Sequence, residues 1–146
     1  MVGNVKNDEQ MGIIPRSVIH MLGKMGEINK DDVQIEYSIK MSALEIYNEQ
    51  VRDLLADEKC PFTTKSKDKS SGLKIIEDKN RNVIIVGLTE LKIDNLDDFM
   101  LYFDEANSKR TVESNNINMA SSRSHLVIII TVSQYNKAEN VYKCGK

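Results

Sequence analysis

Hydrophobic residues recur along the chain with two different periods, and each period predicts one type of secondary structure. Helical spacing from Ile13 onward predicts a helix over residues 15–25, with Gly23 and Gly26 available to end it. Strict alternation of apolar and polar residues predicts a strand over 35–47 with one buried face. The first third of the chain is therefore expected to hold one helix and one strand.

Two short elements and a loop are predicted next. Asn48 can cap a helix N-terminus, and the spacing of the apolar residues after it predicts a short helix over 48–55. Residues 56–72 are rich in Lys, Ser and Thr without periodicity, which predicts a flexible surface loop. β-Branched runs at 73–76 and 83–86, separated by Asp and Asn, predict a hairpin.

The most regular helical pattern follows the hairpin. Asp94 or Asn95 can cap this helix, which is predicted to end at Lys109 and Arg110 with their charges complementing its C-terminus. Residues 111–125 predict a polar loop. The apolar run 126–132 predicts a strand buried on both faces, as in α/β sheets, and a further extended segment follows it.

Composition changes this picture only by exclusion. The chain has 146 residues with 20 Lys and Arg against 22 Asp and Glu, so the net charge of −2 gives no general attraction to nucleic acid or anionic membranes. No apolar run is long enough to span a bilayer, which favours a single cytosolic domain over residues 1–146. The two cysteines and two histidines are far apart, so neither a disulfide framework nor a zinc site is indicated.

Candidate chemistry is concentrated in one polar cluster directly before the apolar run. The chain has no GxxxxGK[ST], GxGxxG, HExxH or GxSxG pattern, which argues against an independent enzyme. Serine hydroxyls can ligate Mg²⁺ and a guanidinium can pair with a carboxylate or phosphate. An ordinary solvated loop, or a serine phosphorylation site beside an arginine, is the alternative. The cluster consists of Asn118, Ser121, Ser122, Arg123, Ser124 and His125.

The sequence Asn-x-x-Ser-Ser-Arg-Ser-His of this cluster resembles the switch I motif of kinesin motor domains. Three further segments resemble the same family in the same order: 12–16 (Gly-Ile-Ile-Pro-Arg), 42–55 (with Glu-Ile-Tyr-Asn-Glu) and 77–90 (Glu-Asp-Lys-Asn, then Gly-Leu-Thr-Glu). The resemblance implies an α/β fold of the P-loop NTPase-like kinesin motor type. It covers only the middle of that fold, three edge strands and flanking helices, without the P-loop before it and switch II after it.

The resemblance also implies roles for individual residues in a complete motor that binds ATP and Mg²⁺. Ser122 resembles the Mg²⁺ ligand, and Ser121 the serine near the γ-phosphate and the attacking water. Arg123 resembles the arginine that pairs with the switch II glutamate, and Asn118 the asparagine that orders the loop. The isolated chain is expected to need no cofactor and to be inactive, because the phosphate cradle is missing.

Microtubules are the partner that the resemblance implies, with a location on the cytoplasmic cytoskeleton. Residues 77–81 resemble part of a kinesin loop that touches tubulin, so Lys79 and Arg81 are candidate tubulin contacts; a plain solvated hairpin turn is the alternative. An open edge beside the strand at 126–132 predicts self-association.

Two rival interpretations stay open. The first is a short, non-catalytic kinesin-like module that binds tubulin or a kinesin partner. The second is myosin, whose switch I contains Asn-x-Asn-Ser-Ser-Arg. Here two residues separate Asn118 from Ser121, and Ser124 and His125 replace Phe-Gly, which argues against myosin.

Overall fold

A computed structural model describes residues 3–4, 7, 9–31, 34–56, 72–114 and 124–146, without the side chains of 29–31 and 111–114. Neither helix in this part of the chain is long and apolar enough to cross a membrane. The helices and strands are, in order, α1 (Ile13–Asp31), β1 (Ile35–Tyr47), β2 (Gln50–Asp53), β3 (Lys74–Glu77), β4 (Val83–Val86), β5 (Leu91–Ile93), α2 (Leu96–Ser114), β6 (His125–Asn136) and β7 (Val141–Gly145).

The strands form two sheets. A five-stranded sheet has the order β2-β1-β6-β7, and β5 also pairs with β1. β3 and β4 form a separate antiparallel pair, which confirms the predicted hairpin. The α/β class is confirmed, but the main sheet has more strands than the expected three, because β5 and β2 were not predicted.

β1 is the longest strand, and both of its predicted ends are confirmed. Its predicted single buried face is wrong. Consecutive residues from Met41 to Glu45 are all buried, so both faces are covered there. Only residues 35–40, before this stretch, approach the half-buried pattern that strict alternation predicts.

The predicted short helix over 48–55 is wrong, because the chain turns back as strand β2. Asn48 and Glu49 both have positive φ, 48° and 60°. Two such residues form the tight turn that joins antiparallel strands, and Tyr47 pairs with Gln50 across it. Asparagine tolerates this conformation, so Asn48 serves as a turn residue rather than a helix cap.

Helix α1 is present but longer than predicted. It begins at Ile13 and continues to Asp31, through both glycines that were expected to end it. Gly23 and Gly26 are exposed, and a Cβ added at either would meet nothing within 4 Å. Glycine lowers helix stability without ending a helix by itself.

Helix α2 begins as predicted. The Asn95 side-chain oxygen accepts a hydrogen bond from the Asp98 amide at 2.8 Å, and the Asp98 carboxylate accepts one from the Asp94 amide at 3.0 Å. The predicted end at Arg110 is wrong, since the helix continues to Ser114. Residues 111–114 were assigned to a loop for their polarity, but they include no glycine or proline to stop a helix.

Strand β6 is confirmed, but its predicted burial on both faces is wrong. Only Thr131 and Ser133 of this strand are buried, and most of the rest is half-buried. The predicted open edge is also partly wrong, because β7 pairs with residues 132–136. Within the described residues, β7 does not pair with 125–131, so this part of the edge is open.

The chain divides into two compact units. The first comprises Met1–Met41, Lys92–Leu101 and Ile130–Lys146, and the second Ser42–Leu91 and Tyr102–Ile129. Buried apolar residues of the first unit are Met11, Val18, Ile39, Met41, Ile93 and Phe99. Those of the second are Ala43, Leu44, Val51, Leu54, Leu55, Phe103 and Ala106.

We expect Gly23→Ala and Gly26→Ala each to stabilise the protein, by about 0.5 to 1 kcal/mol, because alanine restricts the unfolded chain and fits open space on α1. Chemical denaturation measures the change. Gly72→Ala is the control: its Cβ would lie 2.6 Å from the Val51 carbonyl oxygen, so this variant should lose stability. A destabilised Gly23→Ala variant would contradict the helix assignment at that position.

Candidate functional site

The polar cluster meets the described structure at its C-terminal end. Asn118, Ser121, Ser122 and Arg123 lie outside the described residues, so their predicted roles stay predictions. Ser124 immediately precedes β6 and is 8% exposed. The next residue, His125, begins the strand and is exposed. The structure therefore describes how the cluster is attached to the sheet.

Arg110 of α2 holds Ser124 through two hydrogen bonds. Its Nε donates to the Ser124 hydroxyl oxygen at 3.1 Å, and its Nη2 donates to the Ser124 carbonyl oxygen at 3.1 Å. A guanidinium is planar and presents its donors in a fixed fork. One side chain thus fixes both the side chain and the backbone of the residue that follows Arg123.

Glu45 of β1 supplies a negative charge beside the same arginine. Its side chain is 7% exposed, and its Oε1 lies 3.7 Å from Arg110 Nε, a charge contact longer than a hydrogen bond. Arg52 of β2 is the residue opposite Glu45 in the antiparallel register. A buried carboxylate is costly without a nearby cation, and Arg110 supplies one beside Glu45.

A second carboxylate joins two of the segments that resemble kinesins. One oxygen of Asp53 accepts hydrogen bonds from the amides of Leu55 at 2.8 Å and Ala56 at 3.1 Å. The other oxygen accepts one from the Thr89 amide at 2.7 Å. Asp53 therefore ties the end of β2 to the segment after β4, across 36 positions of sequence.

The candidate tubulin contacts lie where the sequence predicts them, at the hairpin tip between β3 and β4. Lys79 and Arg81 are both exposed, and neither forms an ion pair with another residue in the described part of the chain. Arg81 has a φ of 65°. This conformation costs free energy in a residue other than glycine, so the hydrogen bonds of the turn must offset that cost. The tip therefore presents two cations on a turn with a defined backbone.

Asp78 organises this turn. One of its carboxylate oxygens accepts hydrogen bonds from the amides of Asn80 at 2.7 Å and Asn82 at 2.8 Å, and the other accepts one from the Asn82 side chain at 2.8 Å. The hydrogen bond from the Asn82 side chain, followed by that from its amide, lowers the pKa of Asp78 below its usual value. The charged form of Asp78 is the form that holds the turn.

The hairpin below the tip exposes apolar side chains on both of its faces. Facing pairs such as Ile76 and Ile84 stack across the two strands, yet both residues remain 39% exposed. An exposed apolar patch on an otherwise polar surface is typical of a site that contacts another molecule. The exposed members are Ile75, Ile76, Val83, Ile84 and Val86.

Comparison with known proteins assigns the family. The kinesin motor domain family model matches residues 1–146. The chain belongs to the kinesin motor domain family. It is 41% identical over 126 residues to kinesin-like protein KIF22 of Danio rerio, and 39% identical over 132 residues to the chromosome-associated kinesin KIF4 of Mus musculus. These matches cover 86% and 90% of this chain, but only 18% and 10% of the two relatives.

Solved structures give the same family. The fold matches a fast kinesin, whose structure was analysed for its ATPase mechanism and interactions with microtubules, with a TM-score of 0.78 and 31% identity. The match covers 99% of this chain and 37% of the kinesin chain. The resemblance carried by the four sequence segments is therefore confirmed at the level of family and fold.

Arg110 and Glu45 are the site residues that sequence reasoning missed. Arg110 was interpreted as a charge at a helix C-terminus, and Glu45 as part of the segment 42–55 that resembles kinesins. The sequence carried one signal, a glutamate in the middle of an apolar strand, which requires a cationic partner if it is buried. The sequence did not identify that partner, which is Arg110 of α2.

We expect the pKa of the Asp78 carboxyl to lie below the ordinary aspartate value of 3.8, as measured by carbon NMR. Because the folded pKa is lowered, its contribution to the turn is complete above the unfolded pKa and is lost as pH falls through the lower folded value. Asn82→Ala should move the Asp78 pKa back towards 3.8, since it removes one donor. An Asp78 pKa at or above 3.8 in the unsubstituted protein would contradict the turn geometry.

Proposed function

We propose that this chain is the switch I and sheet-edge portion of an ATP-driven microtubule motor. One observation carries the proposal: the family match extends over all 146 residues, and the sequence that resembles switch I follows the other three kinesin-like segments in the family's order. The chain spans less than a fifth of the named curated relatives, so the activity is proposed for a complete motor that carries this sequence. In such a motor the chain acts at microtubules, on the cytoplasmic cytoskeleton.

The proposed roles in nucleotide hydrolysis are electrostatic and positional. Ser122 is proposed to ligate Mg²⁺ with its hydroxyl, and Ser121 and Asn118 to order the loop and water around the γ-phosphate. Bound Mg²⁺ would supply charge neutralisation for the phosphates of ATP. Arg123 is proposed to pair with a switch II carboxylate when the site closes. The attachment of Ser124 to Arg110 supports the proposal, because it gives this segment a fixed end.

In a complete motor carrying this sequence, Arg123→Ala should lower the microtubule-stimulated kcat at least about tenfold and leave the ATP affinity nearly unchanged, because its ion pair forms only in the closed state. Steady-state hydrolysis and nucleotide binding measure the two effects. The 146-residue chain alone should not hydrolyse ATP. A complete motor that binds microtubules but never hydrolyses ATP would overturn the motor proposal and favour the non-catalytic binding module.

The hairpin tip is proposed to contact tubulin. Lys79 and Arg81 suit an acidic partner surface, and the exposed apolar strands beneath them add area that such a partner can cover. Two exposed cations are worth little each and are screened by salt. Binding by the isolated chain is therefore expected to be weak and sensitive to ionic strength.

The double variant Lys79→Glu and Arg81→Glu should reduce microtubule cosedimentation of the 146-residue chain severalfold at low salt, because both contacts become repulsive. The matched control is Lys143→Glu and Lys146→Glu, which reverses two exposed charges near the end of β7. Equal losses in the two double variants would mean that only net charge matters. Unchanged binding in the hairpin variant would remove the tip from the interface.

Self-association is proposed at residues 125–131 of β6, where the edge towards β7 is open within the described part of the sheet. Unpaired backbone donors and acceptors at a sheet edge favour pairing with a second chain. Light scattering at increasing protein concentration tests this, and a monomer at all concentrations would contradict it.

A further inference from the structure

The Arg110 guanidinium donates two hydrogen bonds to Ser124, and we call this pair the fork. The fork lies at the junction between β6 and the polar cluster. On one side, His125 begins β6, whose backbone is held in the sheet. On the other side, Ser124 is bonded covalently to Arg123. Any restraint on Ser124 therefore acts on the residue through which the polar cluster is joined to β6.

The two hydrogen bonds restrain different degrees of freedom. The bond from Nη2 to the Ser124 carbonyl oxygen orients the peptide plane between Ser124 and His125, and the bond from Nε to the hydroxyl oxygen favours one side-chain rotamer. Both bonds come from one rigid, planar group, so they act together. A lysine at this position could keep the charge but could not reproduce the fork.

Glu45 holds the fork in place. Its buried carboxylate lies 3.7 Å from Arg110 Nε, the same atom that donates to Ser124. The attraction draws the guanidinium towards β1 while its donors point at Ser124. Arg52 is the residue opposite Glu45 on β2 in the antiparallel register.

We propose that Arg110, oriented by Glu45, is a positioning residue for switch I. It acts by fixing Ser124, the residue through which the serines and arginine before it are joined to β6. This inference rests on the proposed function for its consequence in catalysis, but not for the local restraint itself. Precise placement matters because small displacements of catalytic groups lower turnover strongly.

Hydrogen exchange of the 146-residue chain tests the restraint. Arg110→Lys should speed amide exchange in peptides covering 121–127 by about tenfold or more. Opening this region in the unsubstituted protein must break two hydrogen bonds to a charged group, and the variant does not form that pair of bonds. Exchange in peptides covering 42–46 of β1 should change less than about twofold, because the lysine keeps a charge near Glu45. Lys109→Arg is the matched control, as Lys109 contacts Glu105 and the Ala56 carbonyl instead.

Ser124→Ala separates the two hydrogen bonds. It removes the hydroxyl acceptor and keeps the carbonyl, so it should produce a smaller local increase in exchange than Arg110→Lys. In the double variant, Ser124→Ala should add little to the effect of Arg110→Lys, because the fork is already lost. Unchanged exchange at 121–127, or an equal increase throughout the chain, would overturn the positioning role and leave Arg110 as a general structural residue.

The consequence for catalysis is measured separately in a complete motor carrying this sequence. Arg110→Lys should lower kcat about tenfold with the KM for ATP changed less than about twofold, while Lys109→Arg leaves both unchanged. A raised KM with unchanged kcat would overturn the inference. Absence of microtubule-stimulated hydrolysis in the unsubstituted motor would instead reject the proposed function, and the exchange result on the 146-residue chain would still decide the local restraint.

Discussion

Backbone pairing along β1 is the constraint on which the arrangement of this chain depends. From Met41 to Glu45 the strand is buried on both faces, so its amides and carbonyls need protein partners. Three strands, β2, β5 and β6, pair with it. Because β6 lies next to β1, the residue that precedes β6 comes near Glu45, and one arginine can reach both. A requirement of the backbone thus brings together a buried carboxylate, a guanidinium and the end of the polar cluster.

The elements that the sequence predicted well are those whose pattern is long or punctuated by turn residues. β1 showed alternation over many positions, and the β3–β4 hairpin had Asp and Asn between two β-branched runs. β2 was mistaken for a helix, since Val51, Leu54 and Leu55 fit a helical face as well as a short strand. Asn48 offered the correct signal, as asparagine is common at positive φ, but it is equally common at helix caps.

Tertiary context explains the other differences. The exposed glycines do not end α1, because the backbone hydrogen bonds of a helix continue where no capping group or proline interrupts them. Polar composition does not end α2 for the same reason, and this extension places Arg110 inside the helix rather than at its end. At the candidate site, the sequence was sufficient to predict the exposed cations at the hairpin tip. It could not predict the fork on Ser124, which depends on contacts between residues 14 positions apart.

The Asp78 turn has a consequence for the kinetics of recognition. A loop that must become ordered on binding spends part of its interaction free energy on lost conformational entropy. Here the carboxylate has already ordered the loop in the free protein, through three hydrogen bonds within five residues. The tip is thus preorganised, and a partner that fits it meets a rigid shape rather than selecting one from an ensemble. Loosening the turn would shorten the lifetime of a complex more than it would slow its formation, since long-range charge attraction, which steers encounter, would be unaltered.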